Sequence, residues 1–424
     1  MTVKKCRCYY ALYTLRFPGL NNLLRTLTDM GKYVEDILKL REQFSDRHVA
    51  DYLYSIFQTA GFHVQRETFF YSRNSAALAG GAAFILAAIF LFGVFRRKQL
   101  VIIGAAFAVP CILFFEFSLG IPLVSWPLLK KGENIIVQFP VQNPSGKVAL
   151  GAPYEQYQEE EQALSPAETA ASAFLLPAAL AFLSMGLWQL AIHFGKFDSE
   201  DARTILLVMG GACLAYFAWY SFVVWDEGDA KREASSSSQD VGSMAMLSQL
   251  ALNLRNEDLG LENTWVSVVF FGGDDGQGAK TFAKKLSRSP EHSIETIFIG
   301  CRRIGRGERL AFLFPLEERS KNPLSERRLL RILSSDAAAA GERTPEILPV
   351  EPDQFRGFAG KEFPYVIFTS LPPEGGAADE SDIQPNQLEP ALHVLEKMLV
   401  QLDAEHLNEH SPPPTENEPV SRTN

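Results

Sequence analysis

Two adjacent carboxylates, Asp274 and Asp275, directly follow an apolar segment in the stretch TWVSVVFFGGDDGQG. Carboxylates at the end of a buried strand are costly to desolvate, so they are candidates for acid/base catalysis or metal binding. The glycines on both sides lack the spacing of a phosphate-binding loop and instead predict a turn. From these residues alone, the pair is either a chemical site or a charged turn.

Two further segments place polar residues next to apolar runs. The sequence GAPYE at 151–155 follows the apolar run KVAL, and Asp240 opens the helical pattern DVGSMAMLSQLA. In an open parallel sheet, ligands bind at the carboxyl ends of the strands. We therefore expect a cleft at that edge, containing Pro153, Glu155, Asp240 and the acid pair.

The polar parts of the chain alternate between the apolar periods of strands and those of helices. Strand patterns occur at 62–71, 134–139, 147–151, 265–271, 294–300 and 365–369. Helical patterns occur at 30–61, 241–254, 279–286 and 388–402. This alternation is typical of a mostly parallel sheet with helices on both faces, so we expect an α/β fold.

Four long apolar runs interrupt this pattern, at 75–95, 99–115, 169–192 and 204–225. A helix needs about 20 apolar residues to cross a bilayer, so we expect about four transmembrane helices in two hairpins. Buried core helices are the alternative, but uncharged runs of this length are rare in soluble domains. The second run is long enough to cross a bilayer only if Glu116, which follows it, lies at a membrane interface. The alternative is that Glu116 is a functional carboxylate within the membrane.

Because each hairpin leaves and returns on one side, all polar segments outside the two turns share one face of the membrane. The basic turn at 96–98 favours a cytoplasmic location for the turns. Against this, residues 1–74 show no secretory signal pattern, and Lys and Arg are about as frequent near the other helix ends. The side of the polar domain therefore stays open, and the five cysteines show no disulfide framework that could decide it.

These patterns predict one polar α/β domain that is interrupted by two transmembrane hairpins. The α/β domain comprises 1–74, 130–168 and 240–403, the hairpins comprise 75–129 and 169–225, a flexible linker spans 226–239, and a disordered tail spans 404–424. The formal net charge of −10 argues against nucleic acid as a partner. We therefore expect an integral membrane protein.

Three blocks of the polar chain occur in the order that is found in the zinc-dependent exopeptidase family. That family includes bacterial leucyl aminopeptidases, aminopeptidase Y, glutamate carboxypeptidase and the animal glutaminyl cyclases. In it, one strand ends in Gly-Ala-His-Tyr-Asp, a helix opens with Asp-Asn-x-Ser-Gly, and a later strand ends in Phe-Phe-x-x-Glu-Glu. The blocks VALGAPYE, DVGSMAMLSQLA and VSVVFFGGDDGQG resemble these three, and ENIIVQFP and FPYVIFTSLP resemble further strands. The resemblance covers most of the polar chain and implies a zinc exopeptidase-like fold.

The resemblance also implies a metal site, from which the residues of this chain depart. Pro153 stands where the family has its first zinc-binding histidine, and Glu155 stands where it has the Asp that orients this histidine. Asp240 matches the carboxylate that bridges two metals. Asp274 matches the general base and Asp275 a metal ligand, but each side chain is one methylene shorter than the family's Glu, and catalytic geometry tolerates little displacement.

Two more positions of the implied metal site are altered. Cys301 falls near the position of the family's next Asp ligand; it could bind zinc but breaks the pattern. The family's final histidine corresponds to a position near Ala378, where this chain has none. Catalytic zinc is held by three protein ligands that commonly include histidine, so we expect no cofactor, and zinc only if the protein is active. Carboxylates alone could at best hold a hard cation such as Ca²⁺ or Mg²⁺.

These departures predict a membrane-anchored, peptidase-like protein that is catalytically inactive and acts as a scaffold or recognition subunit. Several non-catalytic members of the family are subunits of membrane complexes, so the resemblance implies other membrane proteins or a peptide end as partners. The alternative is an active membrane-bound metallopeptidase of the aminopeptidase type with an altered metal site. A small transport or channel component is a third alternative, supported by Glu116 alone.

Overall fold

A computed structural model gives the architecture of most of the predicted elements. The described residues are 34–35, 46–72, 75–118, 121–154, 173–195, 200–233, 240–255, 259–273, 276–288, 294–315, 329–333, 345–350, 355, 358, 363–372 and 383–410. The predicted site positions outside these ranges are Glu155, Asp274, Asp275 and Ala378. Pro153, Asp240 and Cys301 lie within them, so the site is described from these three residues and their surroundings.

The chain divides into two compact units. The first, called the αβ unit, comprises Met1–Phe69, Gly132–Tyr157 and Ser237–Asn424. The second, called the helical unit, comprises Phe70–Lys131 and Gln158–Ser236. The helical unit is therefore made of two segments that are inserted into the sequence of the αβ unit.

The described helices and strands are numbered in chain order. They are α1 (Asp46–Thr59), β1 (His63–Tyr71), α2 (Ser75–Phe95), α3 (Gln99–Leu113), β2 (Lys130–Phe139), β3 (Gly146–Pro153), α4 (Leu175–Gly195), α5 (Glu200–Glu233), α6 (Val241–Arg255), β4 (Thr264–Phe271), α7 (Gln277–Leu286), β5 (Glu295–Arg302), β6 (Arg309–Pro315), β7 (Glu346–Val350), β8 (Tyr365–Leu371) and α8 (Leu388–His410). Helices α2 to α5 belong to the helical unit, and the other helices belong to the αβ unit.

The described strands form one mixed sheet in the order β1-β2-β4-β3-β5-β8-β6-β7. Strand β3 pairs in parallel with β4 and β5, and β5 pairs in parallel with β8. Strand β2 is antiparallel to β4, and β6 is antiparallel to β8. The connections 140–145 and 303–308 are too short for a parallel crossover, which needs a dozen or more residues. The fold is α/β, as predicted, but the sheet is mixed at these two strands.

The sequence patterns predict no strand at β6 or β7. Strand β6 follows an Arg- and Gly-rich turn, and its apolar run RLAFLFP is short, so the pattern gives only a weak strand signal. Strand β7 has the sequence EILPV, and proline weakens a strand assignment because it cannot donate a ladder hydrogen bond. The position of β7 at the edge of the sheet explains why its Pro349 is tolerated.

The sheet is buried on both faces. On one face, Val148, Leu150 and Ala152 of β3 belong to an apolar cluster that includes residues of α1, α6 and α8. On the other face, Ala149 belongs to a cluster that includes residues of α7 and several phenylalanines. Successive side chains of a strand point to opposite faces, so alternate residues of β3 join the two clusters. Because both faces are buried, the apolar run of β3 is uninterrupted.

Two helices extend into segments for which the sequence predicts no structure. Helix α5 continues to Glu233, within the predicted linker 226–239, and helix α8 continues to His410, within the predicted tail 404–424. Both extensions contain good helix formers, as in the sequences DAKRE and AEHLNEH, so a helix that has already started propagates through them.

The described part of the helical unit has four helices that are long and apolar enough to cross a membrane. The segments are Ser75–Phe95, Gln99–Phe117, Leu175–Phe194 and Glu200–Val224, with mean hydropathies of 2.4, 2.4, 1.8 and 1.7. Helix α2 packs against α3 and α5, and α3 packs against α4. The rings of Phe90, Phe182 and Phe217 meet in the centre of this bundle.

Glu116 lies in a π-helical turn, Phe114–Ser118, which follows α3. Its carboxylate accepts hydrogen bonds from Leu123 N (2.8 Å), from Val124 N (3.3 Å) and from the Ser125 hydroxyl. Charged groups with such partners can be buried at modest cost. The carboxylate therefore ties residues 123–125 to the turn that follows α3.

Candidate functional site

Pro153 ends β3 at the carboxyl edge of the sheet. It lies opposite Phe271 of β4, and the following residue continues the pairing because Tyr154 N donates to the Phe271 carbonyl oxygen (2.8 Å). The Tyr154 hydroxyl donates to the carbonyl oxygen of Glu133 (2.7 Å). The proline side chain carries no atom that can ligate a metal. This position therefore contributes only packing and backbone to the edge.

The loop that carries the acid pair is closed at its base by Asn134, which is fully buried. Its Nδ2 donates to the Gly278 carbonyl oxygen (3.1 Å), and its Oδ1 accepts from Gly272 N (3.3 Å). The two glycines approach so closely that a Cβ at position 278 would lie 2.1 Å from the Gly272 carbonyl oxygen. Asn134 thus fixes both ends of segment 272–278, within which Asp274 and Asp275 themselves lie outside the described residues.

Asp240 directly precedes α6 and is 6% exposed. Its carbonyl oxygen accepts the first hydrogen bond of the helix, from Met244 N at 3.0 Å. Its carboxylate Oδ1 accepts a hydrogen bond from the backbone N–H of Arg303 at 3.2 Å. Arg303 has φ 53°, a left-handed conformation that is uncommon for a residue with a side chain. The carboxylate that matches a bridging metal ligand is therefore engaged by a backbone turn.

Three successive backbone N–H groups of residues 303–305, which we call the Arg303 turn, are bound by side-chain oxygens. The bonds run from Arg303 N to Asp240 Oδ1, from Ile304 N to Ser243 Oγ (3.2 Å) and from Gly305 N to Ser370 Oγ (3.1 Å). Each such bond contributes about 1 kcal/mol, and a buried N–H left without an acceptor costs more. The acceptors come from the start of α6 and from β8, so the turn is held between these two elements.

Helix α6 and the Arg303 turn touch backbone to backbone at Gly242. A Cβ at this position would lie 2.0 Å from the carbonyl oxygen of Ile304, closer than any side chain can come. Glycine is therefore required for this contact. The backbone of the turn lies directly against the first turn of α6, beside Asp240.

The same segment places positive charge at the edge of the sheet. Arg302 ends β5, and Arg303 and Arg306 follow it, with Arg306 only 9% exposed. Guanidinium groups stay charged at all physiological pH values, and like charges repel strongly in a partly buried site. The segment that follows β5 is therefore rich in guanidinium groups.

Cys301 is fully buried in β5, opposite Phe368 of β8. Burial raises the pKa of its thiol far above the ordinary value of 9.0, and the nearby Asp240 carboxylate raises that pKa further. Asp240 and Cys301 thus lie near one another in the fold. Their assignment as remnants of a metal site stays a prediction.

We expect Cys301 to make the free energy of unfolding fall as the pH rises above about 9. The unfolded chain loses the thiol proton near pH 9.0, whereas the folded chain keeps it, so the unfolded state binds fewer protons. This group adds a slope of about 1.4 kcal/mol per pH unit. Urea unfolding of the wild type and of Cys301→Ala across this pH range measures the slope, and the difference between the two isolates the thiol. Equal slopes would show that the thiol ionises in the folded protein.

The described residues do not form a zinc site. Among them, no group of three or more His, Cys, Asp or Glu side chains could hold a metal ion. His63 lies at the start of β1, and His393 pairs with Glu396 on α8 (3.1 Å), so neither joins Asp240. The described residues therefore do not bring together the three protein ligands that catalytic zinc needs.

Asn134, Ser243 and Ser370 belong to this edge without a sequence pattern that predicts it. Ser243 lies in the DVGS segment, but this pattern does not indicate that its hydroxyl accepts a backbone hydrogen bond. Asn134 and Gly278 are 144 residues apart, and Ser370 and Gly305 are 65 residues apart. No local pattern signals hydrogen bonds over such separations, because they arise only when the sheet assembles.

Comparison with known proteins assigns this chain to no family. No family model matches it, and no curated protein matches its sequence.

Several solved structures are similar to it at low identity. The aminopeptidase from Aneurinibacillus sp. strain AM-1 is 11% identical over 64% of this chain and 49% of its own, with a TM-score of 0.36. A leucine aminopeptidase precursor from Bacteroides thetaiotaomicron is 12% identical over 88% and 96%, with a TM-score of 0.42. The glutaminyl cyclase from Porphyromonas gingivalis is 11% identical over 90% and 98%, with a TM-score of 0.43. This chain spans about half the length of the first of these. At these values, the likeness assigns no activity, cofactor or partner.

Proposed function

We propose that this protein is a membrane-anchored, peptidase-like recognition or scaffold subunit without peptidase activity. The observation that carries the proposal is the hydrogen bond from Arg303 N to Asp240 Oδ1, at 3.2 Å. Asp240 is the described residue that matches a metal ligand of the family that the sequence resembles. Here its carboxylate holds a backbone turn against α6.

Two features of the same edge oppose a catalytic metal. Pro153 offers no ligand atom, and the Asp240 carboxylate accepts the backbone N–H of Arg303. Hydrolysis by this kind of enzyme needs a metal-bound water. The hydroxyl oxygens of Ser243 and Ser370 accept backbone hydrogen bonds from Ile304 and Gly305, so both serines hold the Arg303 turn. These residues therefore support binding better than catalysis.

The edge suits recognition of a peptide end. The parallel strands β3, β4 and β5 end there, and ligands of α/β sheets bind at such edges. The arginines of segment 302–306 favour a carboxylate, because guanidinium groups form strong, charge-assisted hydrogen bonds with carboxylates. We infer an acidic or carboxyl-terminal peptide end as the ligand class.

Membrane anchoring supports a role within a membrane complex. The four apolar helices of the helical unit are long enough to span a bilayer as two hairpins. The second hairpin lies in the sequence between Tyr154 and Asp240, so it interrupts two segments that build the candidate edge. Other membrane proteins are therefore the proposed partners, and a peptide segment of such a partner is the proposed ligand.

Substitution of Asp240 separates the structural role from a metal-binding role. We expect Asp240→Ala to lower the free energy of unfolding by about 1–3 kcal/mol, because Arg303 N loses its acceptor in a buried position. We expect Asp240→Asn to cost less than about 1 kcal/mol, because the amide oxygen can still accept this bond. Urea unfolding of the full chain in mild detergent measures both. Metal content and cleavage of an aminoacyl reporter are expected to stay at background in all three proteins.

The rival function, an active membrane-bound metallopeptidase, gives the opposite result. Stoichiometric zinc in the wild type, lost in Asp240→Asn together with cleavage of the aminoacyl reporter, would contradict the proposal. The scaffold role is tested separately by co-purification from mild detergent. A stable membrane-protein partner supports that role, and a strictly monomeric, partner-free protein contradicts it.

A further inference from the structure

Two hydrogen bonds join the α2–α3 turn to the start of α5 and the end of α4, at what we call the turn end of the helical unit. Nη2 of Arg203 in α5 donates to the carbonyl oxygen of Phe95, the last residue of α2, at 3.0 Å. A second bond joins Nδ1 of His193 in α4 to Oε1 of Gln99 in α3, at 2.6 Å. The ends of all four helices therefore lie side by side at one surface.

The turn end is positively charged. Residues 96–98, Arg-Arg-Lys, are exposed, and Arg203 adds a fourth cation. The Nε of Arg203 is buried and has no hydrogen-bond partner in the described part of the chain. In the described part of this surface, the carboxylates of Glu200 and Asp201, in the first turn of α5, offset two of the four positive charges. This surface therefore attracts an anion.

Large apolar side chains are exposed around these cations. Phe95 is 66% exposed, and Leu100 and Phe194 are each 77% exposed. The guanidinium of Arg96 lies over the ring of Phe92 at 5.6 Å. In a bilayer, the apolar side chains meet acyl chains, while the adjacent cations reach the headgroups. The surface thus combines the two chemistries of a lipid.

We propose that the turn end binds an anionic phospholipid. The headgroup phosphate accepts hydrogen bonds from the exposed cations of residues 96–98, and the acyl chains lie along Phe95 and Phe194. A soluble anion would engage the cations and leave the apolar side chains uncovered, whereas a lipid covers both. The inference rests on the proposed spanning of the bilayer by the helical unit and is independent of any role of the αβ unit.

The test measures lipid retention by the full chain in nanodiscs of phosphatidylcholine mixed with phosphatidylglycerol. We expect the wild type to retain phosphatidylglycerol above its share in the bilayer, quantified by mass spectrometry of the lipids that stay bound in mild detergent. The Arg96→Gln/Lys98→Gln variant is expected to lower this enrichment about tenfold at physiological salt. Both side chains are exposed, so the variant keeps its fold. Lys280→Gln/Lys284→Gln removes equal charge from exposed positions of α7 and is expected to keep the wild-type enrichment.

Equal phosphatidylglycerol enrichment in the wild type and in Arg96→Gln/Lys98→Gln would overturn the inference. Displacement of the retained lipid by inorganic phosphate would also overturn it, because the site would then be one for free anions. Alkaline carbonate extraction distinguishes this failure from failure of the proposed membrane anchoring. A chain that is released contradicts both proposals, whereas a chain that stays in the membrane without lipid preference contradicts only the lipid site.

Discussion

We expect Phe298→Ala to lower the free energy of unfolding of the αβ unit by about 3–5 kcal/mol. Phe298 lies in the centre of β5, is fully buried and stacks on Phe358, with ring centroids 3.6 Å apart and planes 5° apart. Phe355 and Phe271 also pack on it, at centroid distances of 5.4 Å and 6.0 Å. Truncation removes buried apolar surface and leaves a cavity between rings that cannot all move inward. Urea titration with pulse proteolysis of the full chain in mild detergent measures the loss.

Two matched variants make this result specific to packing. Phe298→Leu keeps most of the volume and is expected to cost clearly less than the alanine variant. Val400→Ala removes apolar atoms from a position on α8 that is 44% exposed, and it is expected to change the free energy of unfolding by less than about 0.5 kcal/mol. A cost for Phe298→Ala no larger than that of Val400→Ala would show that the phenylalanine cluster is not packed in solution.

The centre of the sheet was predictable because its strands are short apolar runs bounded by turn residues. Strands β3, β4 and β5 match the predicted segments within a few residues, and their burial on both faces explains why they are continuously apolar. Strands β6 and β7 were not predictable in the same way. The apolar run of β6 is short and follows an arginine-rich turn, so it gives only a weak strand signal. The run of β7 contains proline, which argues against a strand.

The positions of Pro153 and Asp240 in the fold were predictable, but the contacts of Asp240 were not. Pro153 and Asp240 could be placed at the carboxyl edge of the sheet because each adjoins a clear strand or helix pattern. The sequence also indicates that Pro153 cannot ligate zinc. It gives no indication that Asp240 accepts a hydrogen bond from a backbone N–H 63 residues away, because that bond depends on the direction in which the short connection after β5 returns.

We expect Gly242→Ala to lower the free energy of unfolding of the αβ unit by about 3 kcal/mol. The added Cβ would lie 2.0 Å from the Ile304 carbonyl oxygen, so the Arg303 turn must move away from α6. That movement strains or breaks the hydrogen bonds from residues 303–305 to Asp240, Ser243 and Ser370. The loss of free energy of unfolding is therefore larger than the loss that a single steric contact would cause. Urea titration with pulse proteolysis measures it.

The same substitution also tests whether the turn shields Cys301, which immediately precedes this segment. If the turn is displaced in the folded state, alkylation of Cys301 is expected to be faster in Gly242→Ala than in the wild type at the same fraction folded. Gly104→Ala makes the same chemical change in a helix where nothing lies within 4 Å of the new Cβ, so it is expected to leave both readouts unchanged or to stabilise slightly. Wild-type stability and wild-type alkylation in Gly242→Ala would mean that the Arg303 turn does not pack on α6. The carboxylate of Asp240 would then be available to a metal, which would favour the active metallopeptidase over the proposed recognition subunit.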